Sequence, residues 1–508
     1  MAADAKVILR NGQDVAVEAI PDLGIDEFRR QVIDGVARGK RVVAFLGRPD
    51  TAESGAIRLV AVLAADGTSQ LFPLSTRVER QYPALTPDCP QAHWFEREIA
   101  EQWDVRPQGH PWLKPIRFHA PYARAAEVFG GPGQGTLCGV TDFFRVEGDE
   151  VHEVAVGPVH AGVIEPGHFR FQCHGEDVLH LEISLGYQHR GVEPSLVGGP
   201  DARTLHTVET LAGDTTIGHA TAYCQALESL AGVRVPARAQ SIRGIALELE
   251  RLACHIGDLG ALAGDVGFLP TASYCGRIRG DALNVTAQIC GSRFGRGLLR
   301  PGGVRFDVEP ARADDLLRRL DAIARDTASA VGLLWDKPSV MARFEETGVL
   351  SAETARQIGL VGPAARACGL GLDVRHDHPA GIFSFAHVPV ATWHTGDVFA
   401  RAYVRWLEVQ RSVEFVRDQL RSLPEGQVSV PMRPLAPGRA VVTLVEGWRG
   451  EICHVATTDA AGRLAHYKVT DPSLHNWFGL ALALRGQQIS DFPLCNKSFN
   501  LSYCGHDL

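Results

Sequence analysis

The sequence predicts an α+β protein of two domains: a small α/β unit over residues 1–120, a loop-like linker over 121–150, and a mainly α-helical unit with a small β portion over 151–508. Three observations predict it. A chain of 508 residues is longer than one hydrophobic core ordinarily serves. Short β-branched runs and one amphipathic segment fill the first 120 residues, whereas long apolar periods near 3.6 residues dominate after residue 200. Between the two lies FGGPGQGTLCG (129–139), where glycine and proline punctuate the chain.

In chain order, GIDEFRRQVIDGVARGK (24–40) sets Phe28, Val32, Ile33 and Val36 at helical spacing. RVVAFL (41–46) and IRLVAVL (57–63) are β-branched, apolar and bounded by turn residues, so they read as strands. The stretch 151–186 alternates and turns like β structure. Over 242–262, Ile245, Leu249, Leu252, Ile256 and Leu259 form one apolar stripe, and Glu248, Arg251, His255 and Asp258 fall on a second face. A polar face of this kind is commonly solvated. Here its flanks are rich in Leu, Ile, Ala and Gly, which argues for burial, and buried ionisable groups must be paired. Residues 312–335 and 397–421 read as further long helices, the second capped by Asp397. A β-hairpin over 441–459 and a short helix over 474–485 precede a tail expected to be irregular.

A hydrophobic fraction of 45% with 22% charged residues is that of a globular protein, and a formal charge of −8 offers nucleic acid no basic footprint. Apolar runs such as the one ending at Leu484 fall far short of a membrane span, and MAADAKVILRNGQDVAVEAI has no basic segment followed by an apolar one. The expectation is a cytoplasmic chain that reaches a membrane only through partners. Eleven cysteines occur without a C-x-x-C pair, so neither a zinc ribbon nor a ferredoxin-type cluster is written here. Most read as small buried hydrophobes.

Chemistry-capable residues gather in two segments. GPVHAGVIEPGHFRF (157–171) holds His160, Glu165, His168 and Arg170 in a turn-rich stretch, able to pass protons, to bind a metal, or merely to cap backbone groups. LGYQHRGVE (185–193) sets Tyr187, His189, Arg190 and Glu193 together; Arg190 and Glu193 also have the spacing of an ordinary surface pair. No G-x-G-x-x-G follows a strand and opens a helix, and no phosphate-loop lysine motif is present.

Several stretches together match one family. YPALTPDCPQAHWFEREIAEQWDVRPQGHPWLKPIRF (82–118) resembles the 30-kDa subunit of respiratory complex I. GPVHAGVIEPGHFRF, LGYQHRGVE, ELERLACHIGDLGALAGDVGF (248–268), GDVFARAYVRWLEVQRSVE (396–414) and the stretch from Glu446 to Trp477 resemble the large subunit of group 4 membrane-bound nickel–iron hydrogenases, which is similar to the 49-kDa subunit of complex I. The resemblance implies an NADH dehydrogenase-like or hydrogenase-like oxidoreductase subunit, peripheral on the inner face of the cell membrane. It would take electrons from an iron–sulfur small subunit and pass them to quinone or a similar acceptor, coupled to ion or proton translocation by antiporter-like membrane subunits. No cofactor bound by this chain itself is expected. The alternative is a non-catalytic coupling or scaffold subunit.

Departures from the family pattern sharpen these expectations. Functional hydrogenases carry R-x-C-G-x-C-x-x-x-H, and TLHTVETLAGDTTIGHATAYCQALE (204–228) has Thr210 for the arginine and Ala212 and Thr215 for the cysteines, keeping Gly213 and His219. No D-P-C-x-x-C can be placed on the tail; with Asp491 in register, Pro493 and Asn496 occupy its cysteine positions. Soft thiolates select nickel, so no nickel–iron centre is expected, and a metal held by His160, His168, His219 and Cys504 is the remaining metal reading. In complex I a histidine of the G-P-x-H loop and a tyrosine hold the quinone headgroup; His160 is in place, the tyrosine position falls near Thr207, and Pro194 replaces a usual lysine. The resemblance thus implies His160, Glu165, His168, His189, His255 and Asp258 as proton carriers, around a pocket formed by Thr207, Glu209, Gly213, Asp214, His219, Arg190 and Glu193.

Overall fold

The computed structural model describes residues 7–50, 55–122, 128–129, 137–160 and 164–508. The glycine-rich loop 129–139 therefore lies outside the described residues apart from Phe129 and Leu137–Gly139. The first strand in chain order is β1 (Asp14–Ala16), and then α1 (Ile25–Ala37) buries Phe28 and Val32 as its spacing predicts. Helix α1 covers the antiparallel strands β2 (Arg41–Pro49), β3 (Ile57–Ala65) and β4 (Gln70–Val78). Helix α2 (His93–Trp103) is the HWFEREIAEQW segment and is buried almost all round. Its carboxylates serve the backbone: Glu96 accepts from the Leu85 and Thr86 amides, and Glu101 from those of Ile116, Arg117 and Phe118.

The rest begins with a three-stranded antiparallel sheet, β5 (Val151–Val156), β6 (His168–His174) and β7 (Asp177–Ser184). After α3 (Thr204–Val208), the long helices follow: α4 (Thr216–Leu230), α5 (Ala237–Asp265), α6 (Leu269–Cys290), α7 (Pro310–Trp335), then short α8 (Gly362–Ala367) and α9 (Val374–Asp377), and α10 (Val398–Arg421). Asp397 caps α10 by accepting from the Ala400 amide. Strands β8 (Arg439–Gly447), β9 (Gly450–Thr458) and β10 (Leu464–Thr470) form an antiparallel sheet against which α4 packs. The far edge of that sheet is β1, pairing Asp14 with Val441 and Ala16 with Arg439, so the chain's first strand belongs to its last sheet.

The tail corrects one expectation. After α11 (Pro472–Ala483) it is not irregular but forms α12 (Phe492–Phe499) and α13 (Tyr503–Asp507), and residues 501–508 are buried throughout. Pro493 sits in the first turn of α12, where its missing N–H costs nothing, and Ser502 caps α13 by accepting from the Gly505 amide. No helix among the described residues is long and apolar enough to cross a membrane.

Ion pairs bind the α2 region to the large region. Lys468 on β10 bridges Glu98 of α2 (2.7 Å) and Glu193 (2.8 Å), and Arg117 closes on the other side of Glu98. Burial opposes ionisation of Glu193, yet Lys468 and then Arg117 hold its carboxyl down at about 2. Arg190 and Glu193, which have the spacing of a pair, take different partners. Lys468→Ala leaves Glu193 buried without its direct cation and Glu98 with Arg117 alone, and is expected to cost about 3–5 kcal/mol, read by urea unfolding. Because a depressed carboxyl stabilises the fold above its ordinary value of 4.5 and loses that contribution as pH falls towards 2, the wild-type protein weakens over that window. The acid limb of the variant's stability profile is expected to be shallower.

Candidate functional site

The G-P-x-H loop closes on itself first. Gly157, at φ +88°, lies so close to the Gly167 carbonyl that a side chain there would clash, and His168 Nδ1 bonds the Gly157 carbonyl at 3.3 Å. His168 thus fastens the neck of the loop, and its Nε2 accepts from Arg170. At the tip, His160 Nε2 stands 3.5 Å from the Tyr503 hydroxyl, with the two rings stacked at 29°. Tyr503 fits only because residue 167 is glycine: a Cβ there would stand 2.6 Å from the tyrosine ring. Glu165 accepts from the Tyr503 (3.3 Å) and Cys504 (3.2 Å) amides, which ties the tail to the loop. Burial pushes the Tyr503 phenol up to about 12 and the Cys504 thiol to about 11, so both stay protonated at neutral pH.

The Ala212–Thr215 loop meets the same tail. The Gly213 amide faces the Cys504 sulfur, and space beside Gly213 is open. Arg449 grips both Asp214 oxygens and the Asn500 carbonyl and lies 3.9 Å over the Trp448 ring. Thr215 accepts from the Trp448 indole at 3.1 Å, and Asp258 accepts from Asn500 and pairs with Arg405 at 2.9 Å. Behind them runs a buried chain: Asp471 to His219 (3.0 Å), His219 to His454 (3.1 Å), His454 to the Tyr467 hydroxyl (2.8 Å). The Asp471 carboxylate packs directly against Gly505.

This geometry revises several sequence expectations. Pro493 is exposed and Asn496 turns towards Tyr503; Cys504 faces the Gly213 amide and Gly505 packs against Asp471, while Ser502 accepts from the Gly505 amide. The spacing of Ser502 and Gly505 is that of a C-x-x-C pair, a signal hidden because neither residue is a cysteine. Ala212 and Gly505 offer no donor atom, the Thr215 and Ser502 hydroxyls are already engaged, and the Cys504 and Cys254 thiols are held protonated by burial. That donor set does not fit a nickel–iron centre. The alternative ligands also fall apart, since His219 is spent on Asp471 and His454, and His168 on the loop neck. Among the described residues no three His, Cys, Asp or Glu side chains are grouped to hold a metal.

Other expected site residues disperse. Thr207 bonds its own helix, and Glu209 is buried on the Gly297 amide. His189 stacks on His119 at 4.4 Å and, with Gly186 and Gln188, fastens Asp507 of the tail; Arg190 donates to the Thr210 and Leu211 carbonyls. Glu193 belongs to the Lys468 bridge. His255 lies deep in α5 against Glu408 (2.8 Å), and burial lowers it to about 4, so it is neutral at pH 7. Tyr503, Arg449, Asp471, His454 and Tyr467 went unseen in the sequence, because only the fold carries them to the loops.

The family described as the respiratory-chain NADH dehydrogenase 49 Kd subunit matches residues 265–439, and the 30 Kd subunit matches residues 41–125. The chain is 32% identical over 351 residues to the carbon monoxide-induced hydrogenase of Rhodospirillum rubrum, covering 69% of this chain and 97% of that protein. It is 31% identical over 445 residues to formate hydrogenlyase subunit 5 of Escherichia coli, covering 83% and 76%. To an NADH-quinone oxidoreductase subunit of Solibacter usitatus it is 29% identical over 339 residues, covering 66% and 91%. With this coverage on both sides, the chain belongs to the oxidoreductase family that joins the large subunits of group 4 membrane-bound nickel–iron hydrogenases to the 49-kDa subunits of complex I.

Proposed function

We propose that this chain is the acceptor-reducing subunit of a membrane-associated, complex-I-like assembly. It takes electrons from an iron–sulfur partner, passes them to a quinone or similar acceptor and couples the step to ion translocation by antiporter-like partners, without nickel–iron chemistry. The observation that carries the reading is the meeting of His160 and Tyr503. The tyrosine absent near Thr207 is supplied by the tail, so the tip of the loop presents an imidazole and a phenol within 3.5 Å of one another.

Reduction of a quinone by two electrons consumes two protons, one at each carbonyl oxygen. A phenol held up to about 12 stays protonated and can donate to a carbonyl oxygen that gains negative charge. His160 Nδ1 donates to the Pro158 carbonyl at 3.3 Å, so Nε2 becomes a second donor when the ring takes up a proton, and Val159, 77% exposed, leaves an apolar edge open at the loop. Glu165 is a positioning residue: it holds the Tyr503 amide and so the ring. The Asp471–His219–His454–Tyr467 chain supports the reading, because its bonds order the protons in one direction. His219 donates to Asp471, His454 to His219 and Tyr467 to His454, and the chain ends beneath α13.

In the intact assembly with its electron donor, His160→Ala and Tyr503→Phe are each expected to slow reduction of a soluble quinone analogue about 100-fold, with Thr207→Val unchanged. Turnover that survives both substitutions, or none with any donor, would leave the scaffold role in place of this one. Elemental analysis of the same preparation is expected to find nickel far below one per chain, and stoichiometric nickel would overturn the reading.

A further inference from the structure

The polar face of α5 opens into a larger buried ion cluster. Glu248 pairs with Arg251 (3.0 Å) and Arg375 (3.0 Å) and accepts from Ser412 (2.6 Å). Arg251 also reaches Glu408 at 3.3 Å, and Arg375 pairs with Asp373 at 2.6 Å. Arg366 joins Glu408 (2.7 Å) to Glu446 (2.8 Å) and stands 3.8 Å from Asp373. His255 ends the chain on Glu408. Every member is at most 5% exposed.

Counting charge gives an imbalance. Four carboxyls, Glu248, Asp373, Glu408 and Glu446, face three guanidiniums, Arg251, Arg366 and Arg375. With every acid ionised and His255 neutral the cluster carries one negative charge away from bulk solvent, an expensive state. We propose that this cluster is a proton store, holding one exchangeable proton on Glu446 and passing between zero and one negative charge.

Glu446 is the weakest-held carboxylate. It has one guanidinium, Arg366, and the Val374 amide, while Asp373 adds like charge across Arg366; Arg251 donates to its carbonyl and Arg375 lies beyond Asp373. Its cross-strand neighbour Glu451 is paired with Arg41, which Asp66 also engages, so that group is itself one carboxylate in excess and His378 stands on Asp66. Burial first, and then Asp373 against the pull of the arginines, raise Glu446 to about 7. Glu408, with Arg366, His255 and Arg251 around it, is held well below the usual range despite its burial. His255 faces Glu408, Arg405 and Arg251 and is driven down to about 4, so it serves as a neutral donor and not as the loaded group.

The store is linked to the site. The bonds run Glu446–Arg366–Glu408–His255, and His255 lies one turn from Asp258 on α5, whose carboxylate holds Asn500 of the tail. Glu248 and Asp258, at the two ends of the α5 face, are about 15 Å apart along the helix. Uptake needs no electron acceptor, so the inference stands apart from the quinone reading.

The test is infrared spectroscopy of the resting protein across pH, following the carbonyl stretch of a buried protonated carboxyl. Two such bands are expected to fade near neutral pH, because burial also raises Glu250 on α5 to about 8; the band of lower midpoint is expected to be absent in Glu446→Gln and to move at least one unit lower in Asp373→Asn, which removes the excess charge and keeps the cap, while the other is lost in Glu250→Gln. The glutamine variant mimics the protonated side chain. Wild-type stability is expected to fall as pH rises from 4.5 to about 7, where the unfolded chain releases this proton and the folded one keeps it, and Glu446→Gln to lose that slope. No carboxyl band fading near neutrality in the wild type, or the loss of no band in Glu446→Gln, would overturn the store. If Glu446→Gln does not fold, a Glu250→Gln background whose remaining band stays put in Asp373→Asn would overturn it alone.

Discussion

A charge taken out of water must find a partner, and this fold is organised by that constraint. Arg251, Arg366, Arg401 and Arg405 are among its largest fully buried side chains, an uncommon core for a protein interior. Helix α5 presents two faces with two different demands: the apolar stripe packs wherever hydrocarbon is dense, but the ionised one requires particular atoms at particular places. Those atoms come from α8, α9, α10 and β8, and each therefore has its position set by ion pairs as well as by packing. A cluster of this kind costs desolvation and returns little net stability, so its value lies in specifying one arrangement or in its chemistry.

The same logic governs the meeting of the Ala212–Thr215 loop with the tail. Ala212, Thr215, Ser502 and Gly505 present no thiolate, and Arg449, Asp214, Thr215 and Trp448 close the region with hydrogen bonds among themselves. Gly505, without a side chain, lets Asp471 approach the tail, and Gly167 does so for Tyr503.

Much of the fold was legible in the sequence because it rests on local signals. The spacing of Phe28 and Val32, the β-branched runs of β2 and β3, and Asp397 before α10 each needed only near neighbours. Burial of Glu248, Arg251, His255 and Asp258 was readable from the apolar flanks of α5. The site was far less legible. The tail becomes helical under long-range fastenings from Glu165, Ser473 and the 186–189 segment, none of which marks the tail's own residues. Likewise His160 could be named from its loop, but its partner Tyr503 is set by topology. Histidines judged alike in the sequence part company once their neighbours are known, since His160 meets the tail, His168 clasps a carbonyl and His255 serves Glu408.

Strand β1 has a consequence for how the protein is made. Its partner strand begins at Arg439, so during synthesis three residues near the start wait, unpaired, for more than four hundred others to emerge. Strands that pair across such distances close late, after local helices have already formed. Once in place, β1 covers what would otherwise be a bare rim of β8, a surface on which another chain could stack. The order of translation therefore makes the final sheet its own quality check: only a chain completed through β8 can seal it.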